Sequence, residues 1–233
     1  MSRGTQNTLL LLVGLSTVVM VIKGTYLHFV KPALLPWLIA AAVVLIALAV
    51  ASIVRDLRHE PAGEDCHRHR PWLVWLLLVP IALTTFVVPP PLGAHGATPA
   101  VAATAPARRA FPPLPADRAP TVPIPDVLMR AAADSTNSLG GRLITVTGFT
   151  LKYPDSTDLG RVVIICCAAD AQLARIHLSG PAVDEAAGYP EDTWLKVEGI
   201  VVAGTSVAAT NFVPTMAVSR VTRIDKPANT YAY

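Results

Sequence analysis

The chain has 233 residues, 52% of them hydrophobic and only 15% charged, with a mean hydropathy of +0.48. Soluble domains carry about 25% charged residues, so this deficit excludes an ordinary soluble protein along the whole length. The net charge of +3 is uneven: residues 1–120 hold 10 Lys/Arg against 5 Asp/Glu and residues 121–233 hold 9 against 11, and no basic stripe with interleaved aromatics marks a nucleic-acid binder.

The first apolar stretch runs from Leu9 to about Val30. Leu9–Ile22 is free of charge but spans only about 21 Å as a helix, short of the roughly 30 Å hydrocarbon core. The helix is therefore expected to continue through Lys23 to Tyr26 or Phe29. Arg3 before an apolar core also suits a signal peptide, but no small-residue cleavage site follows Ile22 and more apolar segments come after. Lys23 reads either as a cation on a transport path or as a lysine snorkelling beside Tyr26 and His28, with the second favoured.

A second span is expected over 33–54, after Pro32, with Pro36 and Trp37 near one interface. A third is expected over 72–88, opening on Trp72 and Trp75, kinked at Pro80 and ended by Pro89-Pro90-Pro91. Residues 1–92 thus read as a three-span membrane anchor. The loop between the second and third spans holds Arg55, Arg58, Arg68 and Arg70, whereas the first loop has only Lys23 and Lys31. The positive-inside rule then places the amino terminus in the cytoplasm and everything after Val88 outside the cell membrane. Gly14, Ser16, Thr17 and Gly24 are small enough to allow close helix contact.

Residues 89–123 contain ten prolines and ten alanines, a composition that favours extended polyproline II over a packed core. The stretch 93–123 is read as a linker. Its Phe111-Pro112-Pro113-Leu114-Pro115 segment has the form of an SH3 ligand, but a linker fits its compartment better.

From 124 to 233 the pattern becomes that of a soluble domain. A short helix is expected over Asp126–Ala133, with Asp126 as its cap. Five strands are expected at 142–153, 161–166, 173–178, 194–202 and 217–224, each rich in β-branched residues and separated by turn residues. Pro181–Ala187 suggests a helical turn. Five strands with short connections point to an OB-like barrel outside the membrane, with a β-sandwich as the alternative.

Several features together carry a resemblance. They are the Lys23-Gly24 and Pro32 junction, the loop with His59, His67 and His69, and the exit Pro89-Pro90-Pro91-Leu92-Gly93. To these add the block Arg161-Val162-Val163-Ile164-Ile165-Cys166-Cys167-Ala168-Ala169-Asp170-Ala171 and the strand Trp194-Leu195-Lys196-Val197-Glu198-Gly199. In these the chain resembles the YcgQ-type bacterial membrane proteins, described as subunits of a two-component membrane permease complex. The resemblance implies a partner, a polytopic permease of the YcgR type; it implies no substrate. The Cys-Cys-x-x-Asp-Ala block is its most distinctive element.

With this topology Cys66 is cytoplasmic and cannot pair with Cys166 or Cys167. A bond between adjacent cysteines closes a strained eight-membered ring, so it would be labile. Two neighbouring thiols also suit a soft metal ion, with Asp170 as a third ligand and His177 as a remote candidate. In an extended strand their side chains would point to opposite faces, so either chemistry requires the strand to end or bulge at Cys166. The plainer alternative is structural: one cysteine in the core, the other under a turn, and Asp170 accepting from backbone N–H groups. Glu64, Asp65, Cys66, His67 and His69 form a second set of ligand types, although the surrounding arginines repel cations.

No P-loop, nucleophile elbow or Ser-His-Asp spacing is present, so no enzyme is expected. The leading expectation is a non-enzymatic accessory subunit that packs its spans against a permease and caps or assists it with the outer domain. The alternative is a membrane-tethered thiol or metal-binding protein using Cys166 and Cys167.

Overall fold

A computed structural model describes residues 3–58, 90–94, 96–99 and 107–233. The expected third span and the loop bearing His59, Cys66, His67 and His69 lie outside these residues. The chain divides into two units, Met1–Pro90 and Pro91–Tyr233.

The first unit contains two helices. Helix α1 (Arg3–Ile22) does not continue past Lys23 as the sequence suggests. Gly24 takes a left-handed φ of 72°, a conformation that ends helices and that glycine adopts without steric cost. A single 3-10 segment, Thr25–His28, follows. The helix gains its length at the other end, where Gln6, Asn7 and Thr8 extend it ahead of Leu9; its 20 residues span about 30 Å.

Helix α2 (Leu35–Arg58) follows a 3-10 turn that begins at Pro32. Gly14 of α1 lies where an added Cβ would come within 2.6 Å of Ile46 Cγ1 and 3.4 Å of the Ala42 carbonyl oxygen. These positions are similarly far from the connection, the register of an antiparallel hairpin. Ala42 and Ala49 are buried on the same seam, whereas Trp37, Val43, Val44 and Leu48 remain exposed, Trp37 by 74%. Pro32–Arg55 is the one helix among the described residues long and apolar enough to cross a membrane, and Gln6–Ile22 is a shorter apolar helix.

The second unit is built on β-structure. After a two-residue strand, β1 (Thr98–Pro99), come helix α3 (Ile124–Ala133) and strands β2 (Leu143–Tyr153), β3 (Ser156–Val163) and β4 (Gln172–Ser179). They are followed by helix α4 (Val183–Gly188) and strands β5 (Trp194–Val201), β6 (Thr215–Arg223) and β7 (Tyr231–Ala232). Strand β2 pairs antiparallel with β3, and β3 with β4. Strand β4 pairs parallel with β6, β6 antiparallel with β5, and β5 antiparallel with β2. The five long strands therefore form a continuous ring of ladders, to which β1 and β7 add short parallel edges on β4 and β3.

Inside the ring Ile144, Val146, Leu159, Ile176, Leu195, Val197, Met216 and Val218 are fully buried. Each such side chain contributes about 1.5–3 kcal/mol of hydrophobic stabilisation. Helix α3 closes one end, burying Ile124 and Val127 in the same cluster. It starts two residues before the expected position, with Pro123 at the cap and Asp126 in the first turn.

The described part of the expected linker does not run free. Leu92 donates its N–H to the Tyr231 hydroxyl at 2.9 Å and Ala94 to Asp192 Oδ1 at 2.9 Å. Farther on, Arg109 exchanges backbone hydrogen bonds with Ala133 and Ser135. Arg130 donates to the Pro112 carbonyl and Arg142 to the Pro115 carbonyl, both at 2.8 Å. Residues 119–122 run parallel to β2 along its edge, bridging at Thr121 and Thr145, where Thr145 donates to Ala119 and Pro120 and accepts from Val122. The reason is physical: prolines lack an N–H but keep a carbonyl, and the domain supplies arginine and threonine donors to those carbonyls. That cover is why Thr145, although on the face opposite Ile144 and Val146, is buried.

Candidate functional site

Strand β3 ends at Val163 because its partner β4 begins at Gln172 and the eight residues between must reverse direction. Ile164 still anchors the exit, buried and donating to the Ala232 carbonyl. Ala168–Asp170 then make one 3-10 turn with Cys167 at its start, and Asp170 N–H returns to the Cys167 carbonyl at 3.0 Å. The strand thus stops before Cys166, which is the condition under which adjacent cysteine side chains can converge.

They do converge. Cys166 Sγ lies 3.6 Å from Cys167 Sγ and donates to Asp170 Oδ2 at 2.8 Å. One donor atom from each of the three residues falls within 4.8 Å of the others. Asp170 also organises the backbone: Oδ1 accepts from Ile165 N–H at 2.8 Å, and Oδ2 from Cys166 N–H at 2.8 Å and Cys167 N–H at 3.3 Å. This carboxylate role matches the structural alternative drawn from sequence. The cysteines themselves take another place: Cys166 is exposed, Cys167 half-buried, and neither belongs to a core cluster.

The electrostatics follow from these contacts. The hydrogen bond to Asp170, with a smaller one to Cys167, pushes the Cys166 thiol up to about 11. The same S–H, helped by the Ile165 N–H, holds the Asp170 carboxyl down at about 2. A thiol held protonated in this way is not an activated nucleophile at neutral pH. The arrangement therefore disfavours thiol–disulfide exchange while leaving three donor atoms aimed at one point.

His177 is not part of this group. It sits opposite Asp158 in the β3–β4 ladder, five rungs from the Val163–Gln172 pair that borders the turn, about 16 Å along the strands. There its Nδ1 is 2.9 Å from Asp158 Oδ1, and Arg175 Nη1 is 2.9 Å from Asp158 Oδ2. This His–Asp–Arg cluster was not expected from sequence, because Ser156-Thr157-Asp158 lacks the apolar alternation of a strand. The only signal is Pro154-Asp155, a two-residue hairpin turn between Tyr153 and Ser156.

Residues 127–233 match the family model of the DUF1980 C-terminal domain. No curated protein and no solved structure matches the chain. The matched stretch contains the five long strands and the cysteine turn, so the Cys166–Cys167–Asp170 group lies inside the family's domain, a finding in keeping with the YcgQ-type resemblance.

Proposed function

We propose that the chain is a membrane-anchored, non-enzymatic accessory subunit of a permease, with a β-domain outside the membrane that caps or assists its partner. The observation that carries this reading is the α1–α2 hairpin. Its seam at Gly14, Ala42 and Ala49 is used up in self-packing, yet Leu15, Val43, Val44, Leu48 and Trp37 stay exposed on the same helices. Apolar area of that extent needs lipid or other apolar helices around it. A third span at 72–88 would complete the anchor, with the arginine loop and amino terminus in the cytoplasm. The outer domain reads as an OB-like barrel. Support comes from the closed ring of five long strands, in which the last strand, β6, enters parallel beside the third, β4. A polytopic YcgR-type permease is the partner that the resemblance implies.

The test is affinity purification of the tagged protein from its native membrane in mild detergent, followed by mass spectrometry. A polytopic permease co-eluting in stoichiometric amount is the expected result; a protein that elutes alone sinks the subunit reading. Labelling of Cys166 and Cys167 in intact cells with a membrane-impermeant maleimide tests the orientation, and labelling only after lysis reverses it.

A further inference from the structure

We propose that Cys166, Cys167 and Asp170 form a binding site for a thiophilic divalent cation of the Zn2+ type, held by two sulfurs and one carboxylate oxygen with the fourth tetrahedral position open. The argument begins with the sulfurs. Two thiolates about 2.3 Å from one tetrahedral ion stand about 3.8 Å apart, and Cys166 and Cys167 already place theirs at 3.6 Å. A two-coordinate linear ion with the same bond length needs about 4.6 Å, which would force the pair apart. A disulfide needs about 2.05 Å and closes a strained ring. The separation found suits a shared tetrahedral ion better than either.

The third ligand is preset. Asp170 is fixed by the N–H groups of Ile165, Cys166 and Cys167, so its Oδ2 faces the thiols with little orientational freedom left to lose. Oδ2 is 2.8 Å from Cys166 Sγ, whereas two ligands of one tetrahedral ion stand about 3.5 Å apart at Zn–O and Zn–S lengths. Loading therefore displaces the S–H···O hydrogen bond and swings the exposed Cys166 side chain outward by about 0.7 Å. Both thiol protons leave to solvent as the metal–sulfur bonds form. Two sulfurs with a carboxylate suit a borderline ion, since hard Mg2+ and Ca2+ prefer all-oxygen sets.

The surroundings agree. Residues 164–172 carry no lysine or arginine, unlike the arginine-rich loop around Cys66, so nothing in the turn itself repels a cation. A structural role accounts for Asp170 but not for two solvent-reachable thiols brought together outside every core cluster. Three protein ligands leave one position for water or for a donor from another molecule, as suits a site that takes up an ion and passes it on. The proposal stands apart from the permease reading, because a protein without a partner would carry the same three ligands.

The test uses the full-length protein in detergent, reduced with a phosphine and titrated with Co2+. The expected result is the sulfur-to-cobalt charge-transfer band and the intense visible bands of a tetrahedral site, bleached by Zn2+. Both should survive in C66S and disappear in C166S and in C167S. Absence of the bands in the unaltered protein overturns the proposal, as does their survival in the C166S/C167S double variant. A second measurement needs no variant at either position: Zn2+ should protect Cys166 and Cys167 of C66S from maleimide, and modification at an unchanged rate overturns the proposal equally.

Discussion

Asp158 and His177 face each other across one rung of the β3–β4 ladder, with the carboxylate almost wholly buried and the imidazole 40% exposed. The same carboxylate takes Arg175, whose guanidinium lies 5.0 Å from the Tyr153 ring centre. One buried acid thus ties down both a guanidinium and an imidazole at the ring surface.

Replacing Asp158 by Ala should destabilise the domain by about 1–3 kcal/mol, because its partners lose a charged acceptor but still reach water. His177→Ala should change stability by less than about 1 kcal/mol. Urea unfolding of both variants checks this, and equal losses would show that the histidine contributes more than its exposure allows.

Gly14 predicts a steric effect in the anchor. Gly14→Leu places side-chain atoms where Ile46 already lies, and overpacking of this kind costs about 1–3 kcal/mol. Thermal melts in detergent should show the loss, with partial recovery when Ile46→Ala is added. No recovery in the double variant would place the clash elsewhere.

Asp134 predicts acid sensitivity. Burial tends to raise its carboxyl, but hydrogen bonds from the Ser138 and Thr136 hydroxyls and N–H groups outweigh this and hold it well below the usual carboxylate range. A carboxyl lowered on folding stabilises the protein above its unfolded value of about 3.9, and that contribution fades as pH falls toward the folded value. Asp134→Ala should cost about 1–3 kcal/mol at neutral pH, and the gap from the unaltered protein should narrow below about pH 4. A gap independent of pH in chemical unfolding would contradict this account.

The cysteine turn predicts a change in reactivity. With its thiol pushed up to about 11, metal-free Cys166 is almost entirely protonated at neutral pH. Asp170→Ala removes the carboxylate whose hydrogen bond, and after it whose charge, favours the protonated form. Alkylation of Cys166 by iodoacetamide, followed by peptide mass spectrometry, should then accelerate about 10- to 100-fold near pH 8. An unchanged rate would mean that Asp170 does not control the thiol.

Much of the β-domain was legible in the sequence. Four expected strands coincide with β2, β4, β5 and β6 to within two residues, because their β-branched runs are bounded by turn residues. Strand β3 was misplaced by several residues at each end. Its first half is Ser-Thr-Asp, strand only because the ladder to β2 and the contacts of Asp158 with Arg175 and His177 hold it there, and its expected end at Cys166 fell inside the turn. The packing of 107–123 was illegible for a related reason. Proline-rich sequence carries no periodicity, and what orders it is the set of donors on Arg130, Arg142 and Thr145, which only the folded domain assembles. The site residues were legible as a pair of thiols and an acid, with Asp170 accepting from backbone N–H groups as one alternative, but not the convergence of both thiols outside the core beside it. That depends on a single 3-10 turn, too short to leave a pattern.

The hydrogen bond from Leu92 to Tyr231 joins residues 139 positions apart, and β7, which contains Tyr231, also pairs with β3. The start of the domain is therefore sealed by residues that leave the ribosome 139 positions after it. Until they emerge, the edge of β3 and the apolar groove meant for Tyr231 stay open, and so much non-local pairing makes a slow folder. Newly made chains should pass through a vulnerable interval in which strand β3 can recruit a foreign strand, and chains cut short before residue 231 should be the preferred prey of quality-control proteases.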